Sequence, residues 1–150
     1  MKLIALELET IIDGCLPQLN ALSEDELLYK PFPSKWSKKE IIGHLIDSAQ
    51  NNIRRFIITQ YEENAKIIYN QDKWVAINDY QLWPLPNLIE LWYLLNKQMC
   101  CIWQNTPAEM AHRSCNTEAL HTIEWLAQDY IKHLKHHLHQ VLNLNPIAYP

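Results

Sequence analysis

Two histidines near the carboxyl end of the chain have the spacing of ligands to one metal ion. His133 and His137 are four residues apart in a segment with helical periodicity, so their imidazoles lie on one face of the predicted helix, one turn apart. At that separation both rings can bind the same divalent ion. The neighbouring His136 and His139 lie on other faces, and we expect them to meet solvent. A competing interpretation is that histidines near a helix carboxyl terminus interact with the helix dipole and that their spacing is accidental.

A polar stripe on an earlier predicted helix contains a third candidate ligand. His44 is followed at steps of three and four residues by Asp47, Ser48, Asn51 and Arg55, which places all five on one side of a helix. Polar side chains that face inward need partners, and a metal ion with its ordered water supplies them. We therefore consider His44 as a candidate ligand together with the carboxyl-terminal pair.

Four amphipathic helices are predicted to position these residues. The first spans Lys2 to about Leu22, where apolar residues recur at three- and four-residue spacing. The second begins at Ser37, which forms a capping box with Glu40, and it ends near Gln60. The second helix is the one that carries the polar stripe.

The other two helices follow a long connection. Residues 61–86 lack helical periodicity and are predicted to form a loop that crosses the bundle. The third helix begins with Asn87 as its cap and stops before Pro107. A second loop extends to about His121, and Thr122 caps the final helix.

The levels of the histidines favour antiparallel packing of the second and fourth helices. His44 lies about six residues, or ~10 Å, into its helix, and His137 lies a similar distance from the end of the last helix. Antiparallel neighbours would therefore bring the three imidazoles to one level, whereas parallel neighbours would leave His44 about 8 Å from the pair. The long connection permits this arrangement because it allows the second and third helices to run in the same direction.

Length and composition exclude several classes of protein. A chain of 150 residues is predicted to fold as one domain (residues 1–150), and two glycines leave little material for a Gly-rich phosphate loop or a dinucleotide-binding fold. The net charge of −4 at pH 7 argues against a nucleic-acid partner. No apolar run approaches the roughly 20 residues that cross a bilayer, and the amino terminus lacks a signal-peptide pattern. We therefore expect a cytoplasmic protein with no membrane partner.

Three segments of the chain resemble one known family. Residues 35–48 (KWSKKEIIGHLIDS), residues 69–74 (YNQDKW) and residues 133–137 (HLKHH) are similar to the corresponding segments of the DinB/YfiT-like family of metalloenzymes. The resemblance extends over most of the chain, from Lys35 to Val141. It implies an all-α four-helix bundle with left-handed up-down-down-up topology.

The resemblance also implies a metal site and an activity. Position by position, the family's three ligands correspond to His44, His133 and His137, with His137 chosen over the adjacent His136. Some family members transfer a low-molecular-weight thiol such as bacillithiol to electrophiles, and others are classed as hydrolases. We expect a divalent ion, zinc or nickel, with manganese or iron as alternatives.

Three neutral imidazoles leave at least one coordination position open, as in catalytic rather than closed structural sites. Such an ion would activate a thiol for transfer or a water for hydrolysis. We expect Asp47 and Asn51 to orient a ligand or move a proton, and Arg55 to bind a substrate carboxylate. The alternative for these three residues is a buried hydrogen-bond network that ties the helices together.

Three functions follow as hypotheses from this site. The first is a metal-dependent thiol S-transferase, whose partners would be a small electrophile and a low-molecular-weight thiol. The second is a metal-dependent hydrolase, and the third is a non-catalytic bundle that binds a metal or ligand, in which a fourth protein ligand would close the site. A homodimer is a further expectation.

Overall fold

Four long helices form the framework in the part of the chain that the structure describes. The structure is a computed structural model that describes residues 1–30 and 32–146. The long helices are α1 (Lys2–Asn20), α3 (Lys38–Ile58), α5 (Leu85–Asn105) and α6 (Ile123–Leu142), and the short ones are α2 (Glu24–Leu28) and α4 (Gln71–Asn78). Their apolar faces meet in one core. This confirms the prediction of an all-α four-helix bundle. None of these helices is long and apolar enough to cross a membrane.

The predicted starts of the second and fourth long helices are confirmed. The Ser37 hydroxyl accepts a hydrogen bond from the Glu40 backbone N–H, and the Glu40 carboxylate accepts one from the Ser37 N–H, which completes the capping box of α3. At the start of α6, the Thr122 hydroxyl accepts a hydrogen bond from the Trp125 backbone N–H. Each cap satisfies backbone donors that the first turn leaves without a partner.

The long predicted loop over residues 61–86 contains two short helices that were not predicted. The segment contains α4, capped by the Asn70 side chain, and a 3₁₀ helix over Tyr80–Leu82. The eight residues of α4 bury only Val75 within the helix, while Ile77 is exposed. A short helix with a single inward residue has no apolar stripe, and therefore no periodicity that a sequence pattern can reveal.

The predicted start of the third long helix is wrong by three residues. The helix α5 begins at Leu85, so Pro86 lies in its first turn and Asn87 is not its cap. Proline is tolerated there because its missing N–H would have no partner inside the helix and its fixed φ suits helical backbone. The predicted end before Pro107 is confirmed.

Two further segments contain short elements that were not predicted. The first predicted helix ends at Asn20, and α2 follows it, capped by Ser23. The second predicted loop contains a 3₁₀ helix (Ala108–His112) and an antiparallel hairpin of β1 (Ser114–Asn116) and β2 (Leu120–Thr122).

The hairpin also pairs with the chain that leaves α3. The backbone N–H of Ile67 donates to the Asn116 carbonyl at 3.0 Å, and the Asn116 N–H donates to the Ala65 carbonyl at 3.0 Å. These bonds hold residues 64–67 beside the start of α6.

Side-chain contacts at both ends of the helices give their relative directions. Tyr80, just before α5, packs on Gly43 near the start of α3, and Phe56 near the end of α3 contacts Trp103 near the end of α5, with ring centroids 5.2 Å apart. Contacts in this order are those of helices that run in the same direction. Between α3 and α6 the order is reversed, because His44 near the start of α3 contacts His137 in the last third of α6, whereas Arg55 near the end of α3 shares a cavity wall with Asp129 from the first half of α6. The left-handed sense of the topology stays a prediction.

Candidate metal centre

The three histidines from the sequence pattern converge at one point in the structure. One potential ligand atom from each of His44, His133 and His137 lies within 4.8 Å of the other two. The Nε2 atoms of His44 and His133 are 3.0 Å apart. Two ligands at ~2.0–2.1 Å from a tetrahedral ion are expected to lie roughly 3.3 Å apart, so this pair is close to the spacing of bound imidazoles.

Close helix packing holds His44 at this point. The α3 residues around it are buried on nearly every side, and His44 itself is 1% exposed. Its neighbour Gly43 lies against the face of the Tyr80 ring, where a Cβ atom would overlap the ring carbons. Only glycine permits this approach, so the segment after α4 is seated directly against the helix turn that carries the ligand.

Burial keeps the imidazoles in the neutral form that a metal requires. Desolvation lowers the pKa of His44 to about 3, and the neighbouring His137 adds to this effect. The pKa of His133 falls to about 2, first by desolvation and then because the other histidines would repel its positive charge. Desolvation also lowers the pKa of His137, although its hydrogen bond to Gln140 acts in the opposite direction. All three rings are therefore neutral at physiological pH.

The hydrogen bonds of the rings are consistent with nitrogen lone pairs directed at a common ion. His137 Nδ1 lies 3.0 Å from Gln140 Oε1. Because the amide oxygen can only accept, Nδ1 carries the proton and Nε2 is left with a lone pair. The buried Nδ1 of His44 has no hydrogen-bond partner among the described residues. Three neutral imidazole donors fit a divalent ion such as zinc or nickel.

His136 is not part of the cluster, as expected. Its Nε2 lies 3.1 Å from Gln140 Nε2, which donates to it, and the convergent group consists of the other three histidines. Gln140 thus contacts two histidines, but it contacts the candidate ligand through its oxygen.

A polar cavity opens on one side of the centre. This space has a volume of about 380 Å³ and is lined by His133 and by charged and hydroxyl side chains. We call it the polar cavity. Its wall includes Ser48, Asn52, Arg55, Tyr69, Glu118, His121, Trp125 and Asp129. It therefore combines one guanidinium with two carboxylates beside a candidate ligand.

A second cavity adjoins the centre at His137. This space has a volume of about 570 Å³ and is lined by His137, Phe32, Trp36 and Ile41. We call it the aromatic cavity. Lys35, Asp72 and Gln140 also contribute to its wall, and Gln71 lines both cavities. The Trp36 ring lies 5.0 Å from the His44 ring, centroid to centroid. Two of the three histidines thus line spaces of different character, His133 the polar cavity and His137 the aromatic cavity.

The three polar residues expected to act beside the ion lie in different places. Arg55 lines the polar cavity. Asp47 is fully buried and accepts hydrogen bonds from the Tyr80 hydroxyl at 2.6 Å and from Asn78 Nδ2 at 3.2 Å. The Asn51 side chain donates to the backbone carbonyl of Asp47 at 2.9 Å. Asp47 and Asn51 therefore have the contacts of a helix-linking network, and neither is among the residues that line the two cavities.

Several residues of the polar cavity were not singled out from the sequence. Asp129 is four residues before His133, so the same helical spacing that links the histidines places it on their face. His121 and Trp125 stack with centroids 3.8 Å apart and an angle of 13° between the rings. The positions of these two rings depend on the hairpin before α6, which the sequence pattern did not reveal.

Comparisons with known proteins agree with this fold. A sequence profile of the DinB superfamily matches residues 7–141. A protein of Oceanobacillus iheyensis named "putative metal-dependent hydrolase" is 30% identical over 112 residues. That match covers 73% of this chain and 64% of the relative, so the chain spans slightly less than two thirds of the protein that it matches.

A solved structure has the same fold. YfiT from Bacillus subtilis, described as a probable metal-dependent hydrolase with an unusual four-helix bundle topology, matches with a TM-score of 0.81 and 17% identity. The match covers 93% of this chain and 84% of that chain. The likeness to YfiT concerns the fold, whereas the profile match over residues 7–141 shows the family: this protein belongs to the DinB superfamily.

Proposed function

We propose that this protein is a metal-dependent thiol S-transferase that joins a low-molecular-weight thiol to a small electrophile. The observation that supports this activity is that the three neutral, convergent imidazoles adjoin two cavities, with His133 in the wall of one and His137 in the wall of the other. A transferase must bring two molecules to one centre, whereas a hydrolase needs room for one molecule and water.

The reaction is a substitution at carbon. A divalent ion at the three histidines would lower the pKa of a thiol or water at its open position toward neutrality. The thiol gives its proton to solvent, and its sulfur forms a bond to the electrophilic carbon. The bond from that carbon to the leaving group breaks, and the leaving group departs with the electron pair. A thiol and R–X thus yield a thioether and HX.

The residues of this chain contribute position and environment. His44, His133 and His137 would hold the ion, and Gln140 orients the His137 ring through its Nδ1–H. Trp36 stands against the His44 ring and would limit the access of water from the aromatic cavity. Arg55 supplies positive charge in the wall of the polar cavity.

A metal-dependent hydrolase is the second candidate. It is favoured by the names of the O. iheyensis and B. subtilis proteins, both of which refer to metal-dependent hydrolysis. In that case water would take the place of the thiol, and an acyl bond of the substrate would be cleaved by the addition of water.

A matched pair of histidine variants tests the metal-dependent activity. Protein loaded with zinc, nickel, manganese or iron is incubated with a panel of thiols and 1-chloro-2,4-dinitrobenzene, and separately with p-nitrophenyl esters. We expect thioether formation with at least one metal, at a rate at least 100-fold above that of metal-free protein. His44→Ala should abolish it, and His136→Ala should retain at least half of it.

Each other outcome selects a different function. Metal-dependent ester hydrolysis without thioether formation would replace the transferase by the hydrolase. A loaded protein that is inactive in both assays would favour a binding protein without turnover. Equal rates with and without metal would refute metal-dependent catalysis.

A further inference from the structure

The two cavities beside the histidines differ enough in chemistry to take different ligands. We propose that the polar cavity binds a hydrophilic, zwitterionic thiol by its carboxylate, at Arg55, and that the aromatic cavity binds the apolar part of the electrophile. The two substrates would then reach the centre next to different ligands, the thiol at His133 and the electrophile at His137. This assignment rests on the proposed transferase function and specifies its substrate classes.

Arg55 is available as an anion site in the wall of the polar cavity. Its Nε and Nη2 donate to the Ile67 carbonyl at 3.2 and 3.1 Å, and its Nη1 donates to Asn52 Oδ1 at 3.3 Å. A guanidinium has five N–H groups, so two of them have no protein acceptor within the described residues. The three existing bonds fix the plane of the group, which prepares the remaining Nη1–H and Nη2–H to donate to a carboxylate.

An acidic residue of the same wall indicates that the ligand also carries a positive group. Glu118, which is exposed, lines the polar cavity together with Arg55. A purely anionic ligand would meet this carboxylate there, whereas a ligand with both a carboxylate and an ammonium group can pair with both signs. The wall thus matches a zwitterion.

The distance along α3 sets a minimum size for this ligand. Arg55 is eleven residues after His44, which corresponds to roughly 16 Å along the helix axis. The arginine side chain leans back toward the helix amino terminus, so the remaining gap is on the order of 10 Å. A molecule that holds Arg55 with its carboxylate and reaches the histidines with its sulfur must therefore be longer than a single amino acid.

The aromatic cavity has the walls of an apolar binding site. Phe32 is 65% exposed and Trp36 and Ile41 are partly buried, so their apolar surface is available to a ligand. Trp36 contacts the His44 ring, so a planar group stacked on Trp36 would lie close to the centre. His137 completes this wall on the metal side.

Two tryptophans report separately on the two cavities. Trp36 lines the aromatic cavity and Trp125 lines the polar cavity. Protein labelled with 5-fluorotryptophan gives one fluorine resonance for each tryptophan, and Trp36→Phe and Trp125→Phe assign the two that matter. The probes are S-methylglutathione, a zwitterionic thioether that cannot react, and toluene, an unreactive aromatic molecule.

We expect the probes to bind independently to the zinc-loaded protein. S-methylglutathione should move the Trp125 resonance and toluene the Trp36 resonance. Saturation with one should change the Kd of the other by less than twofold. S-methylcysteine, which is too short to span the gap, and the diethyl ester of S-methylglutathione, which lacks carboxylates, should each bind at least tenfold more weakly than S-methylglutathione.

Matched variants locate each probe. Arg55→Met should raise the Kd of S-methylglutathione at least tenfold, and Arg54→Met, which changes the exposed neighbour outside the cavity, should change it less than twofold. Phe32→Ala should weaken toluene about threefold or more, and Tyr29→Ala, another exposed aromatic residue, should not. The other fluorine resonances show whether each variant is folded, and the ester probe tests the carboxylate site without any substitution.

Competition between the two probes, or an ester that binds as tightly as the acid, would overturn the assignment. These binding measurements do not depend on turnover. Independent binding in a protein that forms no thioether would refute the transferase and leave the two sites in place. An active transferase whose probes compete for one cavity would refute the two sites alone.

Discussion

At the scale of single residues, hydrogen bonds to the ligand rings decide how well the centre is prepared for a metal. Gln140 holds the proton of His137 on Nδ1, and the ring therefore presents Nε2 to the centre. Partners of this kind fix the tautomer and the orientation of a metal-binding imidazole. The Gln140 side chain lies on the exposed side of α6, so it can be changed with little effect on the core.

Replacement of Gln140 should therefore weaken metal binding without unfolding the protein. We expect Gln140→Leu to raise the Kd for zinc roughly tenfold or more, because the His137 ring loses the acceptor that orients it. Gln128→Leu, an equally exposed position earlier in α6, is the matched control and should leave the Kd unchanged. Competition with a chromophoric chelator measures both values. Equal affinities in the two variants would contradict the orienting role.

Asp47 gives the protein a pH dependence that can be measured separately from the metal. Burial raises the pKa of Asp47 from 3.8 to about 6, although the hydrogen bond from Tyr80 acts in the opposite direction. Between those two pH values the folded state holds a proton that the unfolded chain has lost. The contribution of Asp47 to the free energy of unfolding is therefore full below about pH 4 and is lost as the pH rises through about 6.

Asp47→Asn should remove this loss of stability with rising pH. We expect the free energy of unfolding of the variant, relative to the natural protein, to rise by roughly 2–3 kcal/mol between about pH 4 and pH 8. The asparagine oxygen can still accept the Tyr80 hydroxyl proton. Urea titrations of metal-free protein at both pH values give the difference. A difference that does not change with pH would show that Asp47 is ionised in the folded protein throughout this range.

At the scale of elements, the segment that precedes α5 is seated on α3 by one close approach. The Tyr80 ring covers Gly43, and its hydroxyl donates a hydrogen bond to Asp47, which lies one turn after Gly43 in α3. The second glycine, Gly14 in α1, has open space where a Cβ would lie, with no atom within 4 Å. The two glycines thus provide a comparison of the same substitution in two environments.

Gly43→Ala and Gly14→Ala should change stability in opposite directions. A methyl group at position 43 would collide with the Tyr80 ring, and we expect the free energy of unfolding to fall by about 1–3 kcal/mol. Alanine at position 14 has only the benefit of its higher helix propensity, which is about 0.5–1 kcal/mol. Chemical denaturation followed by circular dichroism measures both changes. Destabilisation of similar size in both variants would contradict a specific contact at Gly43.

The elements also explain which features could be predicted from the sequence. The helices α3 and α6 have long apolar stripes and side-chain caps at Ser37 and Thr122, and their starts are correct. The helix α4 buries only Val75, so its sequence has no helical periodicity from which it could be predicted. The direction of the Asp47 side chain depends on the segment after α4, because its partners Asn78 and Tyr80 lie there. The spacing correctly predicted that Asp47 lies on an inward face of α3, but it could not reveal Asn78 and Tyr80 as its hydrogen-bond partners.

At the scale of the whole molecule, the site is assembled from segments that are far apart in the chain. The candidate ligands come from α3 and α6, the wall of the polar cavity includes the hairpin region, and Gln71 from α4 lines both cavities. The convergence of the histidines could be anticipated from helix geometry alone. The cavities depend on the irregular segments that cover the bundle, which explains why their aromatic and acidic residues were not foreseen.

Removal of metal should therefore lower the stability of the whole fold. An ion that binds only the folded protein stabilises it by about 2.7 kcal/mol at a free concentration roughly 100 times its Kd. For a domain of this size we expect chelation to lower the Tm by roughly 5–10 °C. Differential scanning calorimetry with zinc and with excess chelator measures the change, and His44→Ala should show almost none. A Tm that is independent of zinc in the natural protein would contradict a site shared by two helices.

His44 and His133 are separated by 89 residues, and this distance determines when the centre can form during folding. In the unfolded chain, closing a loop of that length would cost roughly 4–5 kcal/mol of conformational entropy before any ligand bond is made. The local pair on α6 can meet an ion early, but the third ligand arrives only when α3 has docked against α6. Tight metal uptake is therefore a late event in folding, and its rate is set by the docking of these two helices rather than by diffusion of the ion.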